Sequence, residues 1–258
     1  MPRLIVKTQA IVLRTRRLGE SSKLVSLFSE DYGKLKAVAK GARKPKSKFG
    51  SALDLMNQVQ VVCYLKPDRD LQTLSDCDVV RSAHVLLADL ERLSLGSAAC
   101  ELIERLTLEG ESNKRIYRCL AGVLQGLQEV EANQVEPLFW YFQVRVAEAL
   151  GYQPQLDRCA ACRQPLTDSW LWFSPAAGGG MCSTCGQTAG HRVAGDSLRF
   201  LASLQRMPAY RAEAVPATPA RAGEIRTMLR YFLEYHSSGQ GRLKSLDFLE
   251  SVVGTARV

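Results

Sequence analysis

Leu24-Val-Ser-Leu-Phe28, then Asp31-Tyr32-Gly33-Lys34, then Leu35-Lys-Ala-Val-Ala39 is the stretch whose reading decides the fold. Two short β-rich runs flank a turn in which Gly33 can take the positive φ that a tight connection requires. The stretch predicts a β-hairpin. Working outward, Leu4-Ile-Val6 and Ala10 to Leu13 precede it, and Val59 to Leu65 and Leu71 to Leu74 follow it. Gly19, Gly41 to Gly50 and Lys66 to Asp70 separate the runs. Five or six strands in about 80 residues suit an OB-like Greek-key barrel better than a sandwich, which usually needs about 100.

The hydrophobic period changes after Ala83. Val85, Leu86, Leu90 and Leu93, then Ala99, Leu102, Ile103 and Leu106, then Ile116, Leu120, Val123, Leu124 and Leu127 recur at helical spacing. Glu136-Pro137 opens another helix, since proline is tolerated in the first turn, and Gly151 stops it. From Tyr152 to Val193 the helical period is lost, and Pro154, Pro165, Pro175 and Gly178-Gly179-Gly180 appear. Asp196 could cap a helix through Arg206, Met207 to Pro219 reads as a linker, and helices are expected over Ile225 to Tyr235 and Leu243 to Val253. The expected fold class is α+β: an OB-like barrel (1–80), a helical domain in two parts (81–151 and 194–258), and a small inserted module (152–193).

That module carries Cys159-Ala-Ala-Cys162 and Cys182-Ser-Thr-Cys185, with 19 residues between the pairs. Two C-x2-C knuckles at this separation are the spacing of a structural zinc site, in which each knuckle aims two sulfurs at one ion, the alternative being disulfides or a redox pair. Four thiolates leave no position for an activating water, so one Zn2+ would stabilise the module without hydrolysing anything. Gly186 is expected to relax the second knuckle's turn, and His191 nearby reads as a surface histidine before a replacement ligand. Cys63, Cys77, Cys100 and Cys119 are scattered through strand and helix patterns, as small buried hydrophobes are. Paired metal thiols beside unpaired buried ones point to the reducing cytosol.

Charge is the third signal. Residues 1–50 hold thirteen Lys or Arg against three acids, whereas the remainder nets −2 within a total of +8. A localised positive field attracts phosphate, as in nucleic acid or an anionic membrane surface, and the plain alternative is a solvated basic face. Arg14, Arg16 and Arg17 close the first strand region, and Gly41 to Gly50 is a loop holding Arg43, Lys44, Lys46 and Lys48. Barrel closure would let these segments meet, together with Lys23, Lys34, Lys36 and Lys40. Pro45 is expected to keep the loop extended, and Phe49, then Tyr32, are the rings placed for base stacking or for packing.

Other classes are disfavoured. The 258 residues are 46% apolar and 23% charged, and no apolar run approaches the ~20 residues that cross a bilayer. The start is interrupted by Arg3, Lys7 and Thr8, so no secretory signal is expected. No Walker-type loop is present, and His84, His191 and His236 belong to no metalloprotease pattern. A protein without catalysis is expected.

Ala10-Ile-Val-Leu-Arg14, Gly19-Glu-Ser-Ser-Lys-Leu24, Tyr32-Gly-Lys34, Ala39-Lys-Gly-Ala-Arg43 and the closing Leu233-Glu-Tyr-His236-Ser-Ser-Gly239-Gln-Gly241-Arg242-Leu243-Lys244-Ser245-Leu-Asp-Phe248-Leu249 resemble the bacterial RecO family of recombination mediators. The resemblance covers nearly the whole chain, although the zinc pattern occurs on many folds and is absent from some RecO relatives. It implies a non-enzymatic protein, cytoplasmic and nucleoid-associated, that binds single- and double-stranded DNA and anneals complementary strands. It further implies work with RecR, and often RecF, to load RecA on DNA covered by single-stranded DNA-binding protein, whose acidic C-terminal tail the helical domain captures. Arg118, Arg145, Arg226, Arg230 and Arg242 are the candidates for that tail. The competing readings are a zinc-ribbon nucleic-acid-processing enzyme and an RNA-binding factor.

Overall fold

β1 (Leu4–Leu18) is long enough to serve two neighbours. Its first half pairs antiparallel with β4 (Gln58–Leu65), and its second half with β2 (Ser22–Ser29). A bulge between Val12 and Arg14 bends it from one partner to the other. The two runs that the sequence separates at Lys7 to Gln9 are therefore one strand. β3 (Gly33–Ala39) follows β2 through the expected hairpin, and Gly33 has φ +64°. β5 (Gln72–Arg81) continues well beyond Leu74, the end its apolar run suggested. The order β1-β2-β3-β5-β4 closes on itself, with β3 and β5 parallel over Ala37–Ala39 and every other pair antiparallel. This is the five-stranded Greek-key barrel of OB-like domains. The computed structural model describes residues 4–66, 69–207, 211–236 and 244–248.

Alternation fills the barrel. Val6, Ala10, Val12, Val25, Leu27, Leu35, Ala37, Val59, Val61 and Cys63 point inward, and Phe49 and Leu53 of the β3–β4 connection plug the same core. That connection is a succession of tight turns, with Lys44 N–H donating to Gly41 O, Ser47 N–H to Lys44 O and Ala52 N–H to Phe49 O. The extended loop expected around Pro45 is not what forms: a chain that must return Phe49 and Leu53 to the core has to coil back. β1 and β2 are buried on their outer side too, through Ile11, Leu13 and Phe28. α1 (Leu90–Leu106) packs against them, its N-terminus capped by Asp89, whose carboxylate accepts from Glu91 N–H and Arg92 N–H. α2 (Lys114–Glu129) follows.

The second half of the chain builds its own core. α3 (Val135–Ala149) has Pro137 in its first turn and is followed by Gly151 at φ +88°, the stop its sequence announces. β6 (Trp170–Ser174), β7 (Gly179–Met181) and β8 (His191–Ala194) form a small antiparallel sheet of order β7-β6-β8, with the one-turn α4 (Ser183–Gly186) between β7 and β8. α5 (Gly195–Arg206) and α6 (Ala222–His236) complete this half. Trp140 of α3 meets Phe200 of α5 edge-on, and Phe173 of β6 packs on Phe232 of α6. Asp196 sits in the first turn of α5 rather than at its cap. The Ala194 N–H at that cap is instead taken by Glu224 of α6, which also accepts from the Ser197 hydroxyl.

Compactness separates residues 1–128 and the helical turn 244–248 from residues 129–242. The sequence places its first boundary at the end of the barrel, whereas α1 and α2 share a unit with the barrel because α1 covers β1 and β2. Of the closing helix expected over 243–253, 244–248 is helical and the rest lies outside the described residues.

Candidate nucleic-acid interface and metal centre

Two basic segments expected to meet are strapped together by one of their own cations. The Arg43 guanidinium donates to Gly19 O and Glu20 O, both at 2.9 Å, and the Arg43 N–H donates to Ser21 O at 2.9 Å. These oxygens are the turn of the β1–β2 hairpin. Further along, the Thr15 hydroxyl donates to Leu53 O at 2.8 Å and Met56 N–H to Val12 O at 2.9 Å. The 41–56 connection is thereby fixed along the outer half of β1. Arg16 and Arg17 on β1, Lys40, and Lys44, Lys46 and Lys48 on the connection are exposed, and Lys23 on β2 is half-exposed. None of these seven has a carboxylate partner among the described residues. Arg17 and Lys23 stand directly opposite each other across the β1–β2 ladder. Like charges so placed destabilise a sheet unless an anion relieves them.

Three other candidates are otherwise engaged. The Lys34 ammonium donates to Glu104 O at 2.7 Å and to Thr107 O, capping the C-terminus of α1. Burial lowers the Lys34 pKa below the ordinary lysine value, against the pull of Glu109 and Glu104. Lys36 is paired with Glu109, which raises its pKa, and Arg14 faces Glu104 at 4.0 Å. These cations belong to the side of the barrel that α1 covers. The stacking candidates are also taken: Phe49 is 3% exposed in the barrel core, and Tyr32 packs against the same core. Phe49 is apolar bulk for the barrel, not a base platform. What the sequence misses is the strap, because Arg43 reads as one more cation until its backbone partners are in place.

The four sulfurs of Cys159, Cys162, Cys182 and Cys185 all lie within 4.8 Å of one another, with Cys162 and Cys182 at 3.7 Å. A tetrahedron with metal–sulfur bonds of ~2.3 Å has edges of ~3.8 Å, so the cluster could hold a metal ion. Each knuckle is closed by backbone: Arg163 N–H donates to Cys159 O, and Gly186 N–H to Cys182 O, both at 2.9 Å. Burial raises the Cys159 thiol, but the backbone N–H groups of Cys162, Cys182 and Ala161 outweigh it and bring it down to about 6. Cys185, which shares protons with Cys182 and Cys162, is pushed up to about 12. Four thiolates this close repel unless a cation sits among them.

Gly186 is needed for a different reason than turn relaxation. A Cβ there would fall 2.3 Å from Trp172 Cβ, so the glycine lets α4 lie on β6. His191 is exposed against the Tyr231 ring and stands outside the sulfur cluster. Cys63, Cys77 and Cys100 are buried, and burial pushes the first two thiols up to about 12 and the third higher still. They are inert. Among the tail candidates, Arg145 pairs with Glu148, Arg226 with Glu136, and Arg230 lies over Tyr231, while Arg118 is exposed on α2. Arg242 lies outside the described residues. No described helix is long and apolar enough to cross a membrane.

Comparison with known proteins agrees across the chain. A family model described as "Recombination protein O N terminal" matches residues 1–83, and one described as "Recombination protein O C terminal" matches residues 87–247. The chain is 35% identical over 248 residues to a DNA repair protein RecO of Pelotomaculum thermopropionicum, covering 95% of this chain and 94% of the relative. It is 35% identical over 233 residues to that of Salinibacter ruber, covering 90% and 88%. A third relative, from Roseiflexus, is 30% identical over 250 residues, covering 96% and 86%.

Proposed function

The chain belongs to the RecO family of DNA repair proteins, and from that premise we propose that its barrel grips DNA through Arg16, Arg17, Lys23, Lys40, Lys44, Lys46 and Lys48. The observation that carries this reading is the Arg43 strap, which holds two segments of unpaired cations beside one hairpin. Cations without carboxylate partners are free to replace the counterions of a phosphate backbone, and nothing in their arrangement reads base edges. Binding of single- and double-stranded DNA without sequence preference follows.

Annealing needs the charge of two backbones screened while pairing is left to the bases, so a sequence-indifferent cationic surface suits it. On this reading the protein performs no chemistry of its own. It brings strands together and, with RecR and in some settings RecF, helps RecA replace the single-stranded DNA-binding protein, whose tail is held by cations of the helical elements. The metal is Zn2+, held by Cys159, Cys162, Cys182 and Cys185, and when bound it supplies a four-thiolate brace with no open position for water. The thiols fit a reducing cytoplasm.

The experiment is a salt titration of oligonucleotide binding. Replacing Arg16, Arg17, Lys44 and Lys46 with Ala should weaken binding to all sequences alike, and flatten the slope for single strands by about 0.7 per lost phosphate contact, or roughly 3 in total. Replacing Arg14 and Lys36 with Gln should leave the slope unchanged. An unaltered slope in the fourfold variant would place the DNA elsewhere.

A further inference from the structure

Trp170 opens β6 with 44% of its surface exposed. Two guanidiniums lie against it: Arg192 of β8, with Cζ 4.5 Å from the ring centre, and Arg221, just before α6, at 5.4 Å. The sheet register explains the first contact. Trp170 pairs with Ala194 and Trp172 with Arg192, so Trp170 and Arg192 are diagonal neighbours on one face of the small sheet. Both arginines are exposed, and neither has a carboxylate partner among the described residues. Arg145, Arg199, Arg206 and Arg226 of this unit are paired with acids. Arg158, Arg163 and Arg211 share the lack of an acid partner among the described residues, but they do not rest on an aromatic ring there as Arg192 and Arg221 do. Glu224, the acid nearest to Arg221 in the chain, is turned toward the Ala194 N–H and the Ser197 hydroxyl.

We propose that Arg192, Trp170 and Arg221 form a second contact for single-stranded DNA, separate from the barrel and carried by the metal-bearing unit. The inference rests on the nucleic-acid reading above and adds a site to it. An indole against which two guanidiniums rest restrains cations that would otherwise sweep through water, so less rotamer freedom is lost on binding. Both lie within about 5.4 Å of one ring centre, hence at most about 10 Å apart. That span suits phosphates of neighbouring nucleotides on one strand. The guanidinium planes and the exposed part of the indole also offer planar surface to unpaired bases, whose faces a duplex keeps in its own stack. A purely acidic peptide would use the charges and leave the planar surface idle. One grip in each unit gives a single chain two holds on DNA, which is what bringing two strands together demands.

The test uses the intrinsic fluorescence and salt dependence of the full chain with a short oligothymidylate. Binding should quench tryptophan emission, and Trp170→Phe should remove most of that quench, whereas Trp172→Phe, at the half-buried neighbour on the same face of β6, should leave most of it, Trp140 being buried. Arg192→Ala with Arg221→Ala should weaken binding several-fold and lower the salt slope by about 1.4, two contacts at about 0.7 each. Arg192→Lys with Arg221→Lys should recover the slope but not the full affinity, because an ammonium cannot stack. Metal content and circular dichroism of each variant establish that the module is folded. The quench should persist when Arg16, Arg17, Lys44 and Lys46 are replaced. If the double alanine variant binds like the parent and no quench is seen, this second contact is wrong and the barrel reading stands. If neither set of substitutions changes the slope, the barrel reading fails as well. Quenching by an acidic peptide but not by the oligonucleotide overturns the inference in favour of a protein partner.

Discussion

Phe49 shows how a residue's chemistry and its place in the chain can point different ways. It sits amid Lys44, Lys46, Lys48 and Gly50, where an aromatic among cations reads as a base platform, yet it is 3% exposed and part of the barrel core. Phe49→Ala should therefore cost about 3 to 5 kcal/mol of stability, the range for truncating a buried aromatic. Phe49→Leu should cost far less and leave oligonucleotide affinity at the parental value. Melting curves and binding isotherms of the pair separate the two roles: a folded leucine variant with weakened binding would restore the stacking role. The cysteines behave the other way, since spacing alone brought out their geometry. Cys182→Ser should leave a three-thiolate site, release the metal to a chelator at lower concentration and depress the melting temperature. Metal analysis alongside calorimetry checks this, and a serine variant that keeps both metal and stability would argue against a bracing role.

At the scale of elements, Lys244 and Ser245 of the closing motif acquire a physical role. Glu101 of α1 accepts from the N–H groups of Lys244 and Ser245 and from the Ser245 hydroxyl, so the carboxylate of one helix caps the start of another. Burial pushes the Glu101 carboxyl up. The Ser245 and Lys244 N–H groups, the Ser245 hydroxyl and Arg105 outweigh it and hold the carboxyl below the ordinary 4.5. Such a group stabilises the folded form fully above its unfolded pKa, and that contribution is lost as pH falls through the lower folded pKa. Protection of the 244–248 amides against hydrogen exchange should be steady from pH 7 to about 5 and decline below about 4.5. In Glu101→Gln the protection should be weaker at pH 7 and the acid-dependent step should disappear. An unchanged step in that variant would assign the titration to another group. This contact was invisible in the sequence, because residues 143 apart announce no pairing. The hairpin at Gly33, the helix stop at Gly151 and the cysteine knuckles were legible, because each is a local demand on the backbone. The length of β5 was not, since Asp76 and Asp78 on its exposed side interrupt the apolar run by which strands are recognised.

For the whole molecule, the two units differ in their cations, one holding lysines and arginines together and the other arginines alone. Residues 129–242 contain eleven arginines and no lysine against ten acids, whereas residues 1–128 and 243–258 net +7 and contain every lysine. Lysines on a strapped loop concentrate a positive field for a phosphate polymer, and arginines paired with acids hold the other unit together. Metal should then matter to one unit far more than to the other. A four-thiolate site contributes folding free energy directly, on the order of 10 kcal/mol in the smallest zinc modules, and less here, where Leu156, Leu166, Leu171, Phe173 and Met181 are buried beside the knuckles. Stripping the ion with a chelator under reducing conditions should lower or abolish the melting transition of residues 129–242. The barrel has no sulfur ligand to lose, so its transition should remain. Oligonucleotide binding should survive with a salt slope reduced only by the share of Arg192 and Arg221, about 1.4. Calorimetry and a salt titration on the same chelated sample decide the matter. Complete loss of DNA binding on chelation would mean that the cations of the barrel are not the principal grip.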